Sequence, residues 1–108
     1  MIGRWLGWVA LTAGIVGCTT HFVQSQSDMV VLYLKRPQAG QVMLACSIDG
    51  FTPRPARRLQ NDLWEAVVEP NNEFRYFYII DGTVYVPDCR FQEADGWGGK
   101  NCIYIPRM

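Results

Sequence analysis

The sequence holds a single histidine, no run of like charge longer than a pair, and a formal net charge of zero. Acids and bases are interspersed, so the basic stripe that neutralises a phosphate backbone is missing and nucleic acid is excluded as a partner. Lys35-Arg36 and Arg57-Arg58 read as solvated edges. No paired Cys or His spacing supports a zinc site, and neither a metal nor another cofactor is expected. Gly96, Gly98 and Gly99 precede a strand-like run instead of following one, which is the wrong order for a phosphate cradle. His21, beside Cys18 and ahead of the strand-like runs, is not placed to serve as general base for a Ser or Cys nucleophile of the folded domain. Asp81, Asp88, Glu93 and Asp95 are the carboxylates that composition offers for glycoside chemistry. Asp81 and Asp88 fall at turn signals, where such residues serve backbone geometry. The chain is therefore expected not to be an enzyme. Helical periodicity, internal repeats and low-complexity tracts are also absent after the N-terminal segment, leaving room for one small domain.

What is present begins with Arg4, an apolar stretch from Trp5 to Val16, small Gly17, and Cys18. A charged start, an apolar middle and a small residue at the cut have the layout of a secretory signal. The apolar run is about a dozen residues, whereas a spanning helix needs about twenty. Ile15-Val16-Gly17-Cys18 resembles the signal of bacterial lipoproteins. That resemblance implies a signal peptide over residues 1–17 and lipidation of Cys18, which becomes the mature N-terminus. Two or more acyl chains anchor a protein stably where one does not. An uncleaved signal anchor is the other reading. The expected location is a bacterial cell envelope, lipid-anchored, with the domain outside the cytoplasm. Residues 18–28 read as the modified cysteine and a Ser/Thr/Gln-rich flexible tether.

From Met29 to Pro106 short β-type runs alternate with turn signals. Met29 to Leu34 and Gln41 to Cys46 form the first two, with Val42, Leu44 and Cys46 sharing a face. Leu63 to Glu69 alternates so that Trp64, Ala66 and Val68 face a core. Phe74 to Ile80 leads through Asp81-Gly82, a hairpin signal, into Thr83 to Val86. Cys102 to Ile105 closes the domain. Six or seven such strands with hairpin turns predict an all-β, immunoglobulin-like antiparallel β-sandwich.

Three motifs then occur in order. Val42 to Phe51 is similar to "V-x-L-x-G-x-F-N-x-W"; Tyr76 to Gly82 with Pro87-Asp88 resembles "Y-x-F-x-V-D-G … D-P"; and Asp95 to Asn101 resembles "D-x-F-G-G-x-N". Together they resemble the glycogen-binding domain of the AMP-activated protein kinase β subunit, family 48 carbohydrate-binding modules and the early-set domains of isoamylase-like enzymes. The resemblance implies α-glucan binding by two stacking tryptophans, a lysine and an asparagine. Phe51 occupies the first tryptophan position, Val84 the second and Phe77 the lysine position, while Asn101 is retained. Tyr85, beside Val84, substitutes only if a bulge shifts the register. Phe51, Tyr85 and Asn101 are thus the candidate carbohydrate-binding residues, and Trp97 is expected to pack beneath its loop. An envelope protein is the alternative partner, because Phe77 and Val84 would form an apolar patch if both face solvent. In an oxidising compartment Cys89 and Cys102 bracket a loop that a disulfide would close, with Cys46 buried as a free thiol; Cys46–Cys102 is the competing pairing.

Overall fold

The computed structural model describes residues 20–106. The signal-peptide reading of residues 1–17 and the lipidation of Cys18 lie outside the described residues. Ten strands follow one another: β1 (His21–Gln26), β2 (Met29–Lys35), β3 (Val42–Cys46), β4 (Arg54–Pro55), β5 (Arg57–Arg58), β6 (Leu63–Val68), β7 (Phe74–Ile80), β8 (Thr83–Tyr85), β9 (Gln92–Ala94) and β10 (Lys100–Tyr104). They form a four-stranded sheet in the order β1-β2-β6-β5 and a six-stranded sheet in the order β4-β3-β7-β10-β9, with β8 paired to β7. Every ladder is antiparallel. The chain is an all-β, immunoglobulin-like sandwich, as expected.

Alternation explains the packing. Val30, Leu32 and Leu34 of β2 and Trp64, Ala66 and Val68 of β6 turn inward from the four-stranded sheet. Val42, Leu44 and Cys46 of β3 and Phe74, Tyr76, Tyr78 and Ile80 of β7 meet them from the other. These side chains form one buried core, and fully burying each large one contributes about 1.5–3 kcal/mol. The β7–β8 turn has positive φ at both central residues, Asp81 (49°) and Gly82 (85°), the conformation in which Gly costs least. The Asp81 carboxylate also accepts from the backbone N–H of Gly40 at 3.0 Å and of Gln41 at 2.8 Å, so it ties two loops together and serves the backbone.

The disulfide joins Cys89 and Cys102, with Cα atoms 5.9 Å apart. The competing Cys46–Cys102 pairing fails for a geometric reason. Both residues are register partners of Tyr76, one from each side of β7. Two strand spacings, about 9.5 Å, therefore separate them, beyond the roughly 7 Å limit for a bridge. Cys46 is free and fully buried, and burial pushes its thiol pKa up, which keeps it in the unreactive form.

One expectation needs correction. His21–Gln26 is not tether but strand β1, paired along its whole length with β2 from His21↔Leu34 to Gln26↔Met29. His21 sits largely buried against Tyr78, whose hydroxyl is 3.1 Å from Nε2. Burial lowers its pKa from 6.5 to about 4. The folded state thus binds fewer protons than the unfolded state between those values, and stability must fall as pH drops from 6.5 toward 4. The melting temperature is expected to decline already between pH 6.5 and 5, above the carboxylate range. His21→Phe should flatten that segment, since no other histidine exists.

Candidate binding surface

The outer face of the six-stranded sheet carries most of the residues singled out from the sequence. Phe77 and Ile79 alternate with the buried residues of β7 and point outward. Ile79 pairs with Val84 and Phe77 with Ala45. Phe51 folds back over this face and stacks on Phe77, with ring centroids 5.7 Å apart and planes inclined by 17°. Asn101 precedes the inward-facing Cys102 in β10 and lies opposite Glu93, so alternation places it on the same outer face. Phe51, Phe77, Val84 and Asn101 therefore share one surface.

The loop that delivers Phe51 is held from several sides. After one turn of 3-10 helix (Ser47–Asp49), Phe51 N–H donates to Cys46 C=O at 2.8 Å and Gly50 N–H to Ser47 C=O at 3.3 Å, the paired bonds of a Schellman motif. Asp49 Oδ2 accepts from Arg54 Nε at 3.1 Å, and Arg54 Nη1 reaches Val67 C=O on the opposite sheet at 3.2 Å. Phe51 itself has φ of 64°. A non-glycine residue in the left-handed region is disfavoured by roughly 1–2 kcal/mol, and such outliers concentrate at ligand clamps. The strained backbone aims the ring at Phe77.

Tyr85 does not join this surface. The β7–β8 register is regular, with Tyr78↔Tyr85 and Ile79↔Val84. No bulge intervenes, so Tyr85 faces inward with Tyr78. It packs against the core, and the Arg36 guanidinium lies 4.6 Å from its ring centroid. Tyr85 is thus removed from the candidate platform, and Val84, 61% exposed, takes its place on the outer face.

Trp97 also departs from expectation. It does not pack beneath its loop but stands 93% exposed at the tip of the β9–β10 hairpin. The loop under it is rigidly braced. Asp95 Oδ1 accepts from Trp97 N–H at 2.7 Å and from Gly99 N–H at 3.0 Å, while Asp95 N–H donates to Gly99 C=O at 3.1 Å. A Cβ on Gly99 would come within 2.6 Å of the Asp95 carboxylate, so a larger residue there would have to displace that side chain from its backbone bonds. Beside the tip lies a shallow depression of about 520 Å³, lined by Gln92, Glu93, Gly96, Gly98 and Lys100 among others. Glu93 is held in place by Arg75, Nε to Oε2 at 3.1 Å.

Chemically, this arrangement offers flat apolar rings, an amide and a carboxylate–guanidinium pair. Asp81 and Asp95 are occupied by backbone donors and Glu93 by Arg75. Among the described residues, no cluster of three or more His, Cys, Asp or Glu side chains could hold a metal ion.

No protein-family model matches the chain, and no curated protein matches it in sequence. Solved structures do match. The pullulanase from Bacillus acidopullulyticus superposes with a TM-score of 0.58 over 77% of this chain at 16% identity. Pullulanase type I from Bacillus subtilis, complexed with maltose, does so with a TM-score of 0.59 over 80% at 16% identity. The chain spans only 11% and 13% of the lengths of these two proteins, and what it shares with that small part of each pullulanase is the β-sandwich fold.

Proposed function

We propose that this chain is a non-catalytic binding module for an α-glucan or a related glycan, lipid-anchored through Cys18 to the membrane of a bacterial envelope. The observation that carries the reading is the outer sheet face on which Phe51 stacks on Phe77 beside Asn101. Sugar rings present flat faces of C–H groups and a rim of hydroxyls. Aromatic platforms take the first and an amide the second. Trp97, fully presented on a braced hairpin whose strand carries Asn101, adds a further platform. The fold shared with parts of pullulanases, one of them complexed with maltose, is in keeping with a glycan ligand.

Titration of the chain from residue 18 onward, with Cys18→Ser, against maltoheptaose is expected to give saturable binding in the millimolar range. Trp97→Ala and Phe51→Ala should each weaken it about five- to tenfold, the scale of one aromatic contact. Trp97→Ala should leave the melting temperature unchanged, because the side chain touches nothing it stabilises. Flat calorimetry at millimolar sugar rejects the glycan reading. The anchor is tested separately: a palmitate analogue should label the wild-type chain in bacteria and not Cys18→Ser.

A second reading rests on Val84. With Ile79 beside it on the outer face, this exposed apolar residue suits a protein partner in the envelope. Val84→Lys tests it directly: the substitution should abolish capture of an envelope protein by this face, and unchanged capture would reject the second reading.

A further inference from the structure

At the β1 flank of the sandwich a gap opens between the two sheets. A groove of about 510 Å³ runs along β1, bounded by His21, Val23 and Ser25 above and by Phe91 and Ile103 below. Its floor is pinned by the Cys89–Cys102 disulfide and by Ile103 N–H donating to Phe91 C=O at 2.8 Å.

Three features meet here without a mate among the described residues. The first is the edge of β1. Among the described residues β1 pairs only with β2, so one row of its backbone groups has no strand partner. β1 is six residues long and carries no Asp, Glu, Lys, Arg or Pro. The other edge strands are short or charged: β4 is Arg54–Pro55, β5 is Arg57–Arg58, β8 is three residues, and β9 is three residues including Glu93. Short, charged or proline-bearing edges resist strand addition, and β1 has none of these defences. The second is Tyr76. It lines the groove and is 2% exposed, yet its hydroxyl has no hydrogen-bond partner among the described residues, and burial alone drives its pKa up. A buried hydroxyl is normally satisfied. The third is the apolar pair of Val23 and Phe91 on its walls.

We propose that this groove accepts an extended polypeptide segment of a partner, added to β1 as an outer strand of the four-stranded sheet. One ligand class answers all three features. A strand offers a row of N–H and C=O groups to the β1 edge, a carbonyl to the Tyr76 hydroxyl, and every second side chain to that apolar pair. A glycan has no such backbone row. A second copy of the sandwich, pairing β1 to β1, is the other strand donor, and a dimer of the free chain in size-exclusion chromatography would overturn the proposal. The inference does not depend on the glycan reading, since the groove and the Phe51–Phe77 platform lie on different sides of the six-stranded sheet.

The full chain, held in a zwitterionic detergent, is panned against random dodecapeptides displayed on phage. Enriched peptides are expected to be proline-free with an apolar residue at every second position. In the best peptide, N-methylation should weaken binding at least tenfold at alternate backbone positions and less than twofold at those between. Tyr76→Phe should weaken binding about fivefold, the scale of one ordinary hydrogen bond, while leaving the melting temperature of the free chain unchanged or raised. Saturating maltoheptaose should not compete. The proposal is overturned if no peptide is enriched, if N-methylation shows no alternation, if maltoheptaose competes, or if Tyr76→Phe destabilises the free chain without touching affinity.

Discussion

Phe74→Ala is expected to destabilise the chain by about 3–5 kcal/mol, the range for truncating a buried aromatic. Phe74 is fully buried on β7, between Tyr76 at 5.6 Å and Tyr104 at 5.2 Å from ring centroid to ring centroid. Those neighbours belong to strands fixed by register on both sides, so the cavity has little means to collapse. A domain of this size has about 5 kcal/mol in hand, and the variant should unfold in urea at a small fraction of the wild-type midpoint. Phe51→Ala supplies the contrast. Its ring is half-buried on the outer face and stacks on one neighbour, so its loss should amount to about 1 kcal/mol. Equal losses at the two phenylalanines in urea titrations would contradict the assignment of inner and outer faces.

The second large effect concerns the disulfide. Cys89 and Cys102 are separated by 13 positions, and closing a loop of that length contributes about 3 kcal/mol in the chain-entropy account. Cys89→Ala with Cys102→Ala is expected to lower the melting temperature by roughly 10–20 °C, from about 4–8 °C per kcal/mol for a domain this small. Dithiothreitol should do the same to the wild-type chain and nothing to the double variant. In the single variant Cys89→Ala, Cys46 should not capture Cys102, because β7 stands between them. A Cys46–Cys102 adduct in peptide mapping of that variant would refute the register.

Much of the fold was legible because its central strands each bury one face. Leu63–Val68 and Phe74–Ile80 alternate in hydrophobicity, and their inward residues follow from that alternation alone. The Asp81-Gly82 turn was equally plain, since few dipeptides tolerate two positive φ angles. β1 was not legible. As an edge strand with most of its side chains in water, it has the composition of a tether, and only pairing with β2 makes it a strand.

The candidate surface divides in the same way. Local pattern placed Phe51 near the end of a strand and Asn101 near the start of another, but their common face depends on strand order, which no short-range pattern encodes. Whether Val84 or Tyr85 faces outward hung on the presence of a bulge, and the regular β7–β8 ladder decided it. The resemblance places an aromatic beneath this loop, whereas Trp97 stands in water. Here glycines flank it, the Asp95 carboxylate holds its loop by backbone bonds, and no neighbouring strand offers cover.

By itself the sequence determined the fold class and the residues of the core, because side-chain alternation and turn chemistry act over a few residues. Tertiary structure alone decided which cysteines join, which aromatics meet water, and where a sheet edge is left unpaired. Each of these depends on distances between segments remote in the chain, and those distances exist only once the two sheets have been stacked in register.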